Sequence, residues 1–276
     1  MSQAVNKNPT FALALGGGGA RGLAHIHVLE VLDELGIKPV AISGSSIGAI
    51  IGAAYASGIS GNEIRQHVRT VLKSGAEVTR RLWQTRPGTF AEAFRARFEL
   101  ERILQAFLPA EVAQRFEDLK TPLIVTATDY FGHKLHVIEQ GELISAIAAS
   151  GALPAVFQPI TRDGRMLVDG GIFNPVPFDL LSGKADIVIG IDVVGAPEQG
   201  VREKPSAIDM MYGASQLMMQ SIIAGMLAKQ PPEIFLSPPV SKFRVLDFLK
   251  VDAILEESHS IRDDLKRAIE AAVEKH

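Results

Sequence analysis

A serine flanked by glycines, Gly44–Ser45–Ser46–Ile47–Gly48, separates a short apolar run from a helical stretch. G-x-S-x-G is the spacing of a nucleophile elbow, a sharp strand-to-helix turn that holds the serine strained and exposed. Ser46 would then sit at a helix N-terminus, where the dipole favours developing negative charge. A plain Ser/Gly turn can show the same letters; the strand before it and the helix after it are what favour the elbow. A second glycine cluster, Gly16–Gly17–Gly18–Gly19–Ala20–Arg21–Gly22, follows the strand before that one. Four glycines in a row exceed what a turn requires. Such a run turns several backbone N–H groups toward one place. Neighbouring parallel strands present their carboxyl-end loops side by side. The amides of Gly17, Gly18 and Gly19, with that of Ile47, are therefore expected to face Ser46 and bind an oxyanion.

Two nucleotide readings of the same loop fail or weaken. A Walker A loop ends in Gly-Lys-Ser/Thr, whereas Gly22 is followed by Leu23 and Ala24. Gly17, Gly19 and Gly22 satisfy G-x-G-x-x-G. The ribose-binding acid expected after the second strand is replaced by Ile42–Ser43–Gly44–Ser45.

A serine nucleophile needs a base. The histidines are His25, His27, His67, His133, His136, His259 and His276. Only His259 and His276 come late enough for the Ser…Asp…His order of α/β-hydrolases. His259 lies in an amphipathic stretch and His276 ends the chain, so a histidine triad is disfavoured. The better candidate is the acid of Asp169–Gly170–Gly171, which follows the run Met166–Val168. An Asp-Gly hairpin turn competes with that reading. Asp129 and Asp192, each ending an apolar run, are rival acids.

The elements that must carry these residues read as α/β. Phe11–Leu15, Val40–Ser43, Leu123–Ala127, Lys134–Ile138 and Ile187–Val193 are strand-like. Helices are expected over Leu23–Leu35, Ile47–Ala56, Ser206–Ala228 and Val251–Val273. Strand–helix alternation argues for a mainly parallel sheet with helices on its faces. We expect one domain over residues 1–276, with a helical insertion at about 60–117 rich in arginine (Arg80, Arg81, Arg86, Arg95, Arg97, Arg102). The charge-free stretches Pro39–Asn62 and Met210–Ala228 are long enough to span a membrane. Turn residues in the first and polar residues in the second make both read as buried segments. Five methionines (Met210, Met211, Met218, Met219, Met226) crowd the second. A core helix is the expectation there, and an acyl channel or membrane-facing rim the alternative.

Composition narrows the classes. Lys+Arg number 28 against Asp+Glu 31, a net charge of -3. No positive field gathers nucleic acid. The absence of cysteine excludes disulfides, thiolate metal sites and a cysteine nucleophile. Phe11–Leu15 is too short for the apolar region of a signal peptide, so none is expected.

Together these motifs resemble the patatin-like phospholipase family. That family carries G-G-G-x-R/K-G, here Gly17–Gly22; G-x-S-x-G, here Gly44–Gly48; and D-G-G/A, here Asp169–Gly171, in the same order. The stretch Ala149–Ser150–Gly151–Ala152–Leu153–Pro154 also looks like the family's helix end before the aspartate. The resemblance implies a patatin-like three-layer α/β/α fold and a Ser46–Asp169 dyad. It further implies an oxyanion hole from the glycine loop and no metal or cofactor. The implied substrate is a phospholipid or other acyl ester, met in the cytoplasm with peripheral membrane contact. Arg21 would orient the glycine loop or bind an anionic head group. A scaffold protein that keeps the fold, or a nucleotide binder using Gly17–Gly22, are the competing readings.

Overall fold

The computed structural model describes residues 9–74, 100–197 and 206–276. Eight strands form one sheet: β1 (Phe11–Leu15), β2 (Ala41–Ser45), β3 (Leu123–Asp129), β4 (Lys134–Ile138), β5 (Ile160–Arg162), β6 (Arg165–Asp169), β7 (Ile187–Ile191) and β8 (Ile234–Leu236). The order β8-β7-β1-β2-β3 is parallel throughout. β4, β5 and β6 add antiparallel pairs. Every residue of β1, β2, β3 and β7 is buried, as expected of parallel strands covered on both faces.

Alternation along β1 separates two cores. Leu13 and Leu15 join the large cluster under α1 (His25–Glu34), α2 (Ile47–Ala56), α5 (Leu143–Gly151) and α8 (Ile261–Val273). Ala12 and Ala14 face a smaller cluster containing Phe178, Leu181 and Ile223. Their small size leaves room for the 3₁₀ turn Phe178–Leu181 to pack on the sheet, and the long helix α6 (Ala207–Lys229) reaches this cluster through Ile223. The result is a helix layer on each face of a mostly parallel sheet.

Two expected helices differ from the structure, and two short strands were not foreseen. The region around 60–117 contains α3 (Gly61–Ser74) and α4 (Leu100–Phe107); Arg80, Arg81, Arg86, Arg95 and Arg97 lie outside the described residues. Its carboxyl end is anchored, because Leu100, Leu104, Val112 and Phe116 belong to the large core. The terminal helix is two helices, α7 (Val251–Glu257) and α8, because the Ser258 hydroxyl turns back to donate to Ile254 O at 2.7 Å. Such back-bonding competes with the helix ladder. The apolar stripe survives the break, with Ile254, Ser258, Ile261, Leu265 and Ile269 buried. β5 and β8, three residues each, are too short to leave a pattern.

The largest departure is α6. A capping box between Ser206 and Asp209 starts it. Rather than a core helix, it is a surface helix with an apolar outer side. Ile223 is buried and Met219, Met226 and Leu227 pack on the smaller core, but Met210, Leu217 and Met218 are 61%, 58% and 62% exposed. No helix among the described residues is long and apolar enough to cross a membrane.

Candidate active site

Sheet register brings Ser46 and Asp169 together. β2 and β4 pair with β3 at the same residues, so they lie on opposite edges of it. β6 also shares residues of β3 with β4, and must therefore occupy the β2 edge. β2 runs up that edge and ends with Ser45 opposite Thr126; β6 runs down it and ends with Asp169 opposite Ala127. Two strands thus meet head-on across consecutive residues of β3, about 3.3 Å of rise apart. Beyond that meeting point the Ser46 hydroxyl donates to Asp169 Oδ2 at 2.6 Å.

The turn at Ser46 is strained, with φ 54 and ψ -123 in a residue that is not glycine. Its tightness explains the flanking glycines. A methyl group at Gly48 would lie 2.1 Å from Leu15 O, and one at Gly44 2.6 Å from Ala49 N. Asp169 is fixed from three directions. Its Oδ1 accepts from Gly171 N at 2.8 Å, its backbone N–H donates to Ala152 O at 3.1 Å, and its carbonyl accepts from Thr128 Oγ1 at 2.8 Å. Burial pushes its carboxyl up from 3.8 to about 6, against the Ser46 hydroxyl and the Gly171 amide, which favour the anion. The Asp-Gly hairpin of the competing reading exists elsewhere. Asp163 and Gly164, with φ 48 and 72, turn between the paired residues Arg162 and Arg165. Asp169 instead leads into the 3₁₀ turn Gly170–Ile172.

The glycine loop lies against the serine. A methyl group at Gly17 would stand 3.2 Å from Ser46 Cβ. Two buried side chains set the loop's peptide planes. His25 Nε2 donates to Gly16 O at 2.8 Å, and Arg21 Nε donates to Gly18 O at 3.1 Å. In a trans peptide the N–H points opposite to the C=O, so Arg21 aims the Gly19 amide and His25 the Gly17 amide. The Gly17 amide is then taken by Pro175 O at 2.9 Å. It supports the scaffold, which leaves the amides of Gly18, Gly19 and Ile47 with no acceptor among the described residues. Burial lowers His25 to about 4, so its ring is neutral at pH 7. Burial also lowers Arg21 to about 10, with Asp192 opposing; it stays cationic but is only 3% exposed. Arg21 is thus spent inside the protein on the loop, and the head-group role has no surface to act from.

The rival acids are engaged elsewhere. Asp129 pairs with Arg165 at 2.7 Å and accepts from Gly132 N, which hold its carboxyl below the usual range. Asp192 accepts from Val194 N and Gln220 Nε2. No histidine ring is bonded to Ser46 or Asp169 among the described residues. His259 packs edge-on against His27, with ring centroids 5.4 Å apart. Both line a cleft of about 530 Å³ that shares no residue with the loops of the dyad. The charges there are mutually paired, with Arg65 and Arg262 both on Glu30.

Sequence reasoning missed several neighbours. Ser150 Oγ accepts the Ser46 N–H at 2.7 Å. Met219 Sδ would lie 3.3 Å from a methyl group at Gly171, so α6 reaches the turn after Asp169. Ile172 at the end of that turn and Phe173 after it are exposed, as are Tyr130 and Phe131 just after β3. An unbroken apolar pair after Gly171 was the available signal.

The profile of the Patatin-like phospholipase family matches residues 13–182. An NTE family protein of Mycobacterium tuberculosis is 35% identical over 199 residues, covering 72% of this chain and 53% of its own. Human Patatin-like phospholipase domain-containing protein 6 is 31% identical over 276 residues, covering 90% of this chain and 19% of its own. The chain thus spans about half or less of these relatives. Among solved structures, the complex of SpcU with ExoU from the type III secretion system of Pseudomonas aeruginosa aligns at a TM-score of 0.46 and 16% identity, covering 96% of this chain and 53% of that one.

Proposed function

The chain belongs to the patatin-like phospholipase family, and from that footing we propose that it is a serine acyl-ester hydrolase acting on lipids through a Ser46–Asp169 dyad. The 2.6 Å hydrogen bond from Ser46 Oγ to Asp169 Oδ2 carries the reading. Asp169 takes the hydroxyl proton as Ser46 Oγ attacks the ester carbonyl. Amides of Gly18, Gly19 and Ile47 receive the oxyanion. The alcohol leaves with the proton from Asp169, and the acyl group stays on Ser46. Water then yields a proton to Asp169 and attacks the acyl-enzyme, which frees the fatty acid and returns the proton to Ser46. A carboxylate near pKa 6 is a weak base, so preorganised backbone donors supply much of the rate.

An ester with a long acyl chain suits the surroundings. Ile172, Phe173, Tyr130, Phe131 and Met218 are exposed on segments that flank the dyad or on α6, which touches its loop. Such a rim fits peripheral contact with a lipid surface. The test is hydrolysis of acyl esters of graded length. Activity should rise with chain length. Met219→Gln should lower kcat/KM for long-chain esters about tenfold, the worth of one or two buried methylenes. Short-chain turnover should stay within about twofold, even though the melting temperature falls because Met219 also packs on the smaller core. Equal loss on both substrates would return Met219 to the core alone.

The pH profile gives an independent check. Asp169 must be ionised to act, and its carboxyl titrates near 6. On a soluble ester, kcat/KM should therefore fall as pH drops through about 6, with the slope of a single proton. A limb near 4, the ordinary carboxylate range, would contradict the buried base.

A further inference from the structure

The helix end Ala149–Pro154 stands apart in the sequence, and the dyad mechanism leaves it without a task. It nonetheless touches both dyad residues, once through a side chain and once through the backbone. Ser150 Oγ accepts the Ser46 N–H at 2.7 Å, and two residues later Ala152 O accepts the Asp169 N–H at 3.1 Å. We propose that Ser150–Gly151–Ala152 is the gauge that fixes the separation of nucleophile and base, with Ser150 as its positioning residue. The proposal rests on the dyad reading above.

Why a side chain must serve Ser46 follows from the elbow. The pairing of β2 with β3 ends at Ser45, opposite Thr126, and α2 begins at Ile47. The Ser46 N–H falls between the two ladders and belongs to neither. A buried N–H must be paired, and here the acceptor comes from a third element. That element is rigid: α5 is buried at Leu143, Ile144 and from Ala146 through Gly151, and Ser150 is fully enclosed. Asp169 is tied to the residue that ends the same helix. Nucleophile and base belong to the ends of two different strands, which both pair with β3 but not with each other. Both are referred instead to one peptide segment with Gly151 between the contacts. With Ser46 held at φ 54, release of its N–H lets the hydroxyl swing away from Asp169.

Ser150→Ala removes the acceptor. Ser150→Cys keeps nearly the same volume but offers a much poorer one. The readout is the rate at which a fluorophosphonate probe labels Ser46, together with kcat and KM on a soluble short-chain ester, all well below each variant's melting temperature. Both variants should label on the order of 10²-fold more slowly, the scale of an ångström's misplacement. We expect kcat to fall in parallel and KM to stay within about twofold. Wild-type labelling rates in Ser150→Ala and Ser150→Cys would overturn the gauge, whatever their melting temperatures. If the wild-type protein itself takes no label at Ser46, the dyad reading fails and the gauge with it.

Discussion

Replacing Ser46 by alanine should lower ester turnover on the order of 10⁴-fold or more and abolish fluorophosphonate labelling. Ser45→Ala should keep most of the activity. The distinction is physical. Ser45 ends β2 with its side chain buried, its hydroxyl unpaired inside the protein beneath Gly17 and Gly171. Ser43 donates to Pro177 O at 2.8 Å. Of these three serines, Ser46 combines partial exposure with a hydrogen bond to an acid. The elbow conformation adds a second, stability readout. At φ 54 an alanine bears the same backbone strain as serine, whereas glycine does not. Ser46→Gly should therefore melt higher than Ser46→Ala, by the equivalent of about 1 kcal/mol. Calorimetry on the pair checks it, and equal melting temperatures would show that the turn is relaxed.

How far the sequence carries depends on whether a feature is local. The elbow and the strand–helix order around it are written in consecutive residues, because close packing at Gly44 and Gly48 tolerates no side chain there. The parallel core strands were legible for the same reason, as continuous apolar runs. Features set by tertiary contact were not. The sequence preferred Asp169 to Asp129, but the contact that occupies Asp129, Arg165 reaching it across the antiparallel pair of β3 and β6, was not visible in it. Nothing in the local pattern says that β6 ends head-on against β2. Likewise α6 has apolar residues around its whole circumference, so periodicity gave no buried side to choose. Its exposed methionines emerge only once Ile223 is seen to be the residue it buries in the smaller core. Ser150 shows the intermediate case: the sequence marked the segment, but only the register of α5 against the elbow gives the hydroxyl its partner.

Asp169→Asn should be nearly inactive yet more stable than the wild type at neutral pH. As the proposed base it is worth on the order of 10³-fold to 10⁴-fold in kcat/KM. Its cost to stability follows from its titration. Burial raises the carboxyl in the folded protein from 3.8 to about 6. A raised pKa means that the folded state holds the proton more tightly than the unfolded chain does. The associated stability is complete below about pH 4 and is lost as pH climbs through about 6. Across that window the wild type forfeits on the order of 3 kcal/mol to keep an ionised base in a buried site. Asparagine keeps an oxygen for the Gly171 amide and carries no charge to desolvate. The melting temperature of Asp169→Asn should therefore exceed that of the wild type above pH 6, and the gap should close toward pH 4. Its amide donors must themselves be desolvated, so the gain will be smaller than the full linkage value. Melting curves of both proteins between pH 4 and pH 8, measured beside their ester hydrolysis, test the two halves together. A gap independent of pH would show that Asp169 is not the group titrating near 6. Full activity in the asparagine variant would remove Asp169 from the dyad, and the hydrogen bond to Ser46 would then be a structural contact only.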